Sequence, residues 1–135
     1  MIDYKIGFDV IDWKTLIDMY IQVDGVIGLA RMGEIDTIKK SFQNSYKIVT
    51  AWDGDIIVGA GRLLSDGYCY GWIHDIGVLP AYQKQGIGKS ILDELMTVDK
   101  PLLFGLTSSF TGVDFYKSIG ANIDNVELNC DLTTL

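Results

Sequence analysis

Residues 72–96 read WIHDIGVLPAYQKQGIGKSILDELM, and the order of features within them decides the fold. An apolar strand over 72–78 leads through Pro80 into a loop whose glycines, Gly86 and Gly88, open an amphipathic helix. That helix is expected from Gly86 to about Val98, with Ile87, Ile91, Leu92, Leu95 and Met96 on one face. A helix start leaves backbone N–H groups without partners and carries partial positive charge. Glycine lets a phosphate approach those groups with no Cβ in the way. The stretch reads as strand, anion cradle, helix.

Upstream, Asp53-Gly54 and Asp66-Gly67 are dipeptides favoured in two-residue hairpin turns. They join 46–52, 55–64 and 68–78 into a three-stranded antiparallel meander. Before it, residues 2–8 suit an edge strand. Trp13, Leu16, Ile17, Tyr20 and Ile21 form a helical stripe with Asp12 as N-cap, ended by Gly25 and Gly28. A second helix is expected over 36–44, with Ile35, Ile38 and Phe42 inward. Downstream, Lys100-Pro101 breaks the central helix, and 102–106 suits a buried strand. Strand, helix, strand of this length is a βαβ unit, so 102–106 should run parallel to 72–78. A helix over 111–119 stops at Gly120, and 126–132 reads as a last strand. This order predicts one α+β domain over 1–135: a mixed, mostly antiparallel sheet flanked by helices, with one βαβ crossover.

At 48% hydrophobic over 135 residues, the chain can build a core, which excludes a disordered protein. A net charge of -7 excludes a general nucleic-acid binder and suits a cationic small substrate. Two cysteines, Cys69 and Cys130, and one histidine, His74, are too few for a zinc site, so no metal is expected. Neither an apolar signal core nor a run of 18 apolar residues appears. A soluble cytoplasmic protein with no membrane partner is expected, as a homodimer.

Three glycine-rich signatures compete for the cradle. The dinucleotide fingerprint GxGxxG fails at its third glycine, where Ile91 stands. A Walker loop, GxxxxGK[ST], matches Gly88-Lys89-Ser90 but has Gln83 in place of its first glycine. The third, [RQ]-x-x-G-x-[GA], is met at every fixed position by Gln83-Lys84-Gln85-Gly86-Ile87-Gly88. This is the acetyl-CoA loop of the GNAT family of N-acetyltransferases, which the chain resembles over most of its length. Phe115-Tyr116-Lys117-Ser118-Ile119-Gly120 is similar to the same family's FYxxxG motif.

The resemblance implies the acyl-CoA N-acyltransferase fold, with acetyl-CoA as cosubstrate and a primary amine of a small molecule or peptide as acceptor. It places the pyrophosphate against the backbone of Gln83, Lys84, Gln85, Gly86, Ile87, Gly88, Lys89 and Ser90. The pantetheine arm would pair with Ile76, Gly77 and Val78, on a strand splayed from its parallel neighbour. Ser109, where many relatives have asparagine, and Phe115 would complete the coenzyme site. Ala121 replaces a phenylalanine common in the family.

Tyr116 matches the family tyrosine that protonates the leaving thiolate, a role suited to a pKa of about 10. For the general base, His74 has the fitting reference pKa of about 6.5. Strand alternation puts Trp72, His74 and Ile76 on one face and the competing Asp75 on the other, unless a bulge intervenes. A water relay is a third route. Tyr20, Trp72 and the 25–33 loop are expected to wall the acceptor site. Two rival functions stay open: a CoA-binding sensor without catalysis, and a small nucleotide-binding protein built on Gly88-Lys89-Ser90.

Overall fold

The computed structural model describes residues 1–23, 34–107, 113–123 and 129–132. Its described strands form one sheet in the order β1-β2-β3-β4-β5-β7-β6. These are β1 Asp3–Ile6, β2 Lys47–Asp53, β3 Ile56–Ser65, β4 Tyr70–Val78, β5 Leu103–Thr107, β6 Asn122–Ile123 and β7 Asn129–Asp131. β1 to β4 pair antiparallel in succession, β4 and β5 pair parallel, and β7 returns antiparallel to β5. The expected meander, edge strand and crossover are all present. The short β6, paired to β7, was not foreseen.

Four described α-helices flank the sheet: α1 Trp13–Ile21, α2 Ile35–Gln43, α3 Ile87–Leu95 and α4 Val113–Ser118. Asp12 caps α1, its carboxylate accepting from the N–H groups of Lys14 and Thr15. Two apolar clusters give the two faces. Leu16, Ile17, Met19 and Tyr20 of α1 and Ile38 and Phe42 of α2 pack on Ile48, Ile57 and Ala60. On the opposite face, Ile87, Ile91, Leu92 and Leu95 of α3 pack on Val49, Leu63, Ile73 and Val78 with Leu106 and Tyr116. Each such side chain contributes about 2 kcal/mol by leaving water.

Helix α3 sits close because β3 offers no side chain at Gly61. A Cβ there would come within 2.9 Å of Ile76 and 3.0 Å of Leu95. At the far end, Lys47 donates to the carbonyls of Glu94 and Thr97, anchoring the C-terminal turn of α3 to β2. This fixes where the helix N-terminus points.

Several expectations need correction. The buried stripe of α1 runs through Leu16, Met19, Tyr20 and Val23, so Ile21 faces out. Ile35 is likewise exposed at the first turn of α2. Asp53 pairs with Ile56, so the turn residues are Gly54 and Asp55; only Gly54 takes a positive φ, of 61°. The second connection spans Asp66 to Cys69 because Asp66 accepts from the N–H groups of Tyr68 and Cys69, tying up a longer loop. The expected helix end at Gly25 and Gly28 lies outside the described residues.

Candidate active site

The site gathers where β4 leaves its parallel partner. The β4–β5 ladder runs from Tyr70 opposite Leu103 to Ile73 opposite Leu106 and ends there. β4 continues to Val78, still paired with β3 on its other side. Among the described residues, the β5-facing edge from His74 to Val78 therefore has no strand beside it. Ile76, Gly77 and Val78 all lie on this edge.

The cradle follows. The 3₁₀ turn Pro80–Tyr82 hands the chain to Gln83, whose side-chain amide donates to the Val78 carbonyl at 2.9 Å. This bond ties the loop to the end of β4. Tyr82 donates to the Asp53 carboxylate at 2.5 Å, pinning the loop to the hairpin tip. Lys84 at φ 62° and Gly86 at φ 84° both take the left-handed conformation, which curls the backbone before the helix. Gly86 is the N-cap of α3 and brings no side-chain cap. The first amides of α3, from Ile87 to Lys89, thus present their N–H groups to whatever approaches.

A Cβ on Gly86 would have nothing within 4 Å, while one on Gly88 would lie 3.4 Å from Phe115 and 3.8 Å from Val78. Strand end, helix start and α4 thus meet at Gly88. Gln85 and Ser90 are exposed beside the cradle, and Lys89 is paired with Asp93 at 2.5 Å. Tyr116 is buried in the α3-side cluster, edge-on to Phe115 with ring centroids 5.0 Å apart. Ser109 and the 25–33 loop lie outside the described residues. No group of metal-ligating side chains occurs among the described residues.

On the other face stand the candidate bases, and here alternation fails. Asp75 and Ile76 together oppose the single residue Gly61, with Asp75 in the left-handed region at φ 60°. This bulge reverses the expected faces. Ile76 packs into the α3-side cluster, and the Asp75 carboxylate turns to Arg62 with Nε to Oδ2 at 2.7 Å. Arg62 is the cross-strand partner of His74 and lies over the Phe42 ring of α2, so His74, Asp75 and Arg62 share the α1/α2 face. Gly77 lies beyond the bulge, where a Cβ would come within 3.2 Å of the Tyr20 ring.

Half-burial and the Arg62 charge push the His74 pKa below its usual 6.5, against an opposing pull from Asp75. Burial and Arg62 both favour the neutral imidazole. Tyr20 is fully buried and donates to the Asp75 carbonyl at 2.6 Å, so it is no wall of an open site. Burial raises its pKa well above 10, keeping it a donor. Trp72 is 39% exposed. Arg62 is the residue that pattern reasoning missed, and Tyr20, expected as a wall, is instead a donor to Asp75. A lone arginine in the apolar run 56–64 was the available signal, since a charge in a buried strand requires a partner.

The fold agrees with that of known proteins. The profile of the acetyltransferase (GNAT) domain matches residues 44–120. A GNAT-family acetyltransferase from Streptococcus pneumoniae is 28% identical with a TM-score of 0.67, over 91% of this chain and 89% of that one. A probable acetyltransferase of unknown function from meticillin-resistant Staphylococcus aureus shares the fold at 23% identity and TM-score 0.69, over 92% of each chain. An acetyltransferase of the GNAT family from Staphylococcus aureus Mu50 does so at 17% identity and TM-score 0.69, over 93% of this chain and 86% of that one. Among curated proteins, none matches significantly. With the family profile matching more than half of the chain and the fold shared with solved members, the chain belongs to the GNAT family of acetyltransferases.

Proposed function

We propose that this protein transfers the acetyl group of acetyl-CoA to a primary amine on a small molecule or peptide. The observation that carries the proposal is the β4 edge from His74 to Val78, which on the β5 side has no strand beside it among the described residues. It lies between an anion-receptive helix start on one side of the sheet and a histidine on the other. A coenzyme with a pyrophosphate at one end and a long arm fits that path. The uncapped α3 amides would take the pyrophosphate, and the backbone of Ile76, Gly77 and Val78 would hydrogen-bond the arm.

Acetyl-CoA supplies an activated thioester, so the protein mostly has to position, accept one proton and return another. His74, biased toward its neutral form, would take the proton of the incoming ammonium, directly or through a water. Tyr116 would give a proton to the departing thiolate from the α3 side. Asp75 is less suited to the base role, because its carboxylate is engaged by Arg62. The net charge of -7 favours a cationic acceptor.

An amine panel assayed with acetyl-CoA by thiol release tests this. Release that requires one class of primary amine is expected. Thermal stabilisation by ATP–magnesium and not by acetyl-CoA or CoA would overturn the proposal. Stabilisation by acetyl-CoA without turnover of any amine would favour a CoA-binding sensor.

A further inference from the structure

The bulge at Asp75 is held by an arrangement that the chemistry above does not use. Two bonds converge on Asp75 from two elements, and one of the two partners is itself held by further bonds. Arg62 on β3 grips the Asp75 carboxylate at 2.7 Å, and Tyr20 on α1 donates to the Asp75 carbonyl at 2.6 Å. On α2's side, the same Arg62 reaches the Ser41 carbonyl at 3.3 Å and the Ser45 hydroxyl at 3.4 Å. The ion pair is largely shielded, with side chains 14% and 20% exposed. A non-glycine residue at φ 60° persists only where its surroundings over-determine it. Here they do so from both its carboxylate and its carbonyl.

We propose that Arg62 and Tyr20 are positioning residues that clamp Asp75 in its left-handed bulge, keeping the β4 edge open and His74 on the acceptor face. The clamp rests on the acetyltransferase reading for its purpose, but its geometry does not. Without it, Asp75 would relax to extended backbone and the two-against-one register opposite Gly61 would slip. Each residue after the slip would then change face, carrying Ile76 out of the α3 cluster. The clamp also sets the surroundings of the imidazole. The charged groups that act on His74 are Arg62 from β3 and Asp75 from its own strand; Tyr20 of α1 bonds the Asp75 carbonyl, while Ser41 of α2 and Ser45 just beyond that helix hold Arg62.

His74 is the only histidine, so its ring signals in an NMR titration need no further assignment. In the coenzyme-free protein, Arg62→Met should move its midpoint up, and the near-isosteric Asp75→Asn should move it down. Tyr20→Phe, which deletes one hydroxyl, should perturb the amide signals from His74 to Val78 and lower kcat by up to about 10²-fold, with the His74 midpoint little changed. Arg62→Lys keeps the charge but loses the fork, so it should lower kcat while the midpoint stays near wild type. Midpoints that stay put or move together in Arg62→Met and Asp75→Asn would overturn the clamp, as would unperturbed 74–78 amides in Tyr20→Phe. Correct midpoint shifts in a protein that turns over no amine would leave the clamp standing and remove the acetyltransferase reading instead.

Discussion

Replacing Gly86 by alanine separates the backbone's role from the ligand's. Gly86 holds φ 84° with nothing within 4 Å of where a Cβ would stand, so alanine meets no clash, only backbone strain. That strain costs about 1–2 kcal/mol. Reduced freedom of the unfolded chain returns about 0.4–1 kcal/mol. A net loss of about 1 kcal/mol is expected, a fall of about 4 °C in Tm for a chain of this size. Gly88→Ala should do the opposite. Its position is helical, the new Cβ would make an ordinary 3.4 Å contact with Phe115, and helix propensity adds up to about 0.8 kcal/mol.

Coenzyme affinity should follow a different rule. At Gly86 the methyl group would project into open space at the start of α3, where the proposed pyrophosphate site lies. Losing one charge-assisted hydrogen bond, about 1.5–3 kcal/mol, raises Kd for acetyl-CoA roughly 10- to 100-fold. Calorimetric titration and thermal unfolding of both variants, with and without acetyl-CoA, provide the assay. Gly86→Ala with unchanged apo stability would refute the conformational argument. An unchanged Kd in that variant would refute the cradle.

Other outcomes follow from the same geometry. With its pKa lowered, His74 binds fewer protons folded than unfolded, so its contribution to stability is lost as pH falls through 6.5 toward the folded value. The acidic limb of kcat/KM should lie below pH 6.5 and disappear in His74→Ala; an unaltered profile would pass the base role to water. Tyr116→Phe should lower kcat strongly while leaving acetyl-CoA affinity nearly unchanged, and equal loss of both would mean a packing role. Asp66 has its pKa lowered by the backbone N–H groups of Cys69 and Tyr68, so its contribution is present above the unfolded value near 4 and lost as pH falls through the folded one. Asp66→Ala should lower Tm at pH 7 and narrow the gap to wild type in acid, measured by unfolding across pH.

The parts of this fold that rest on periodicity were legible in the sequence. Alternation and the Asp-Gly pairs marked the meander, and the apolar run after Pro101 marked the parallel strand. What lay hidden was local and non-periodic. A bulge adds one residue without changing composition, so IHDIGV gave no sign that Asp75 and His74 would share a face. The turn at Gly54 slipped by one residue because a single positive φ was enough to close it. Tyr20 reads equally well as a wall or as core; only its bond to the Asp75 carbonyl decides. The turn into α3 was legible because a left-handed residue at a helix start favours glycine, and Gly86 stands there. The clamp was not, because Arg62 and Asp75 find each other through strand pairing.

Backbone amide NMR during titration with acetyl-CoA is the measurement that reaches the coenzyme path itself. Shifts concentrated at Gln83 to Ser90 and at Ile76 to Val78 are predicted, with His74 responding when an acceptor amine is added. Saturable binding that leaves Gly86, Gly88 and the 76–78 amides unmoved would contradict it.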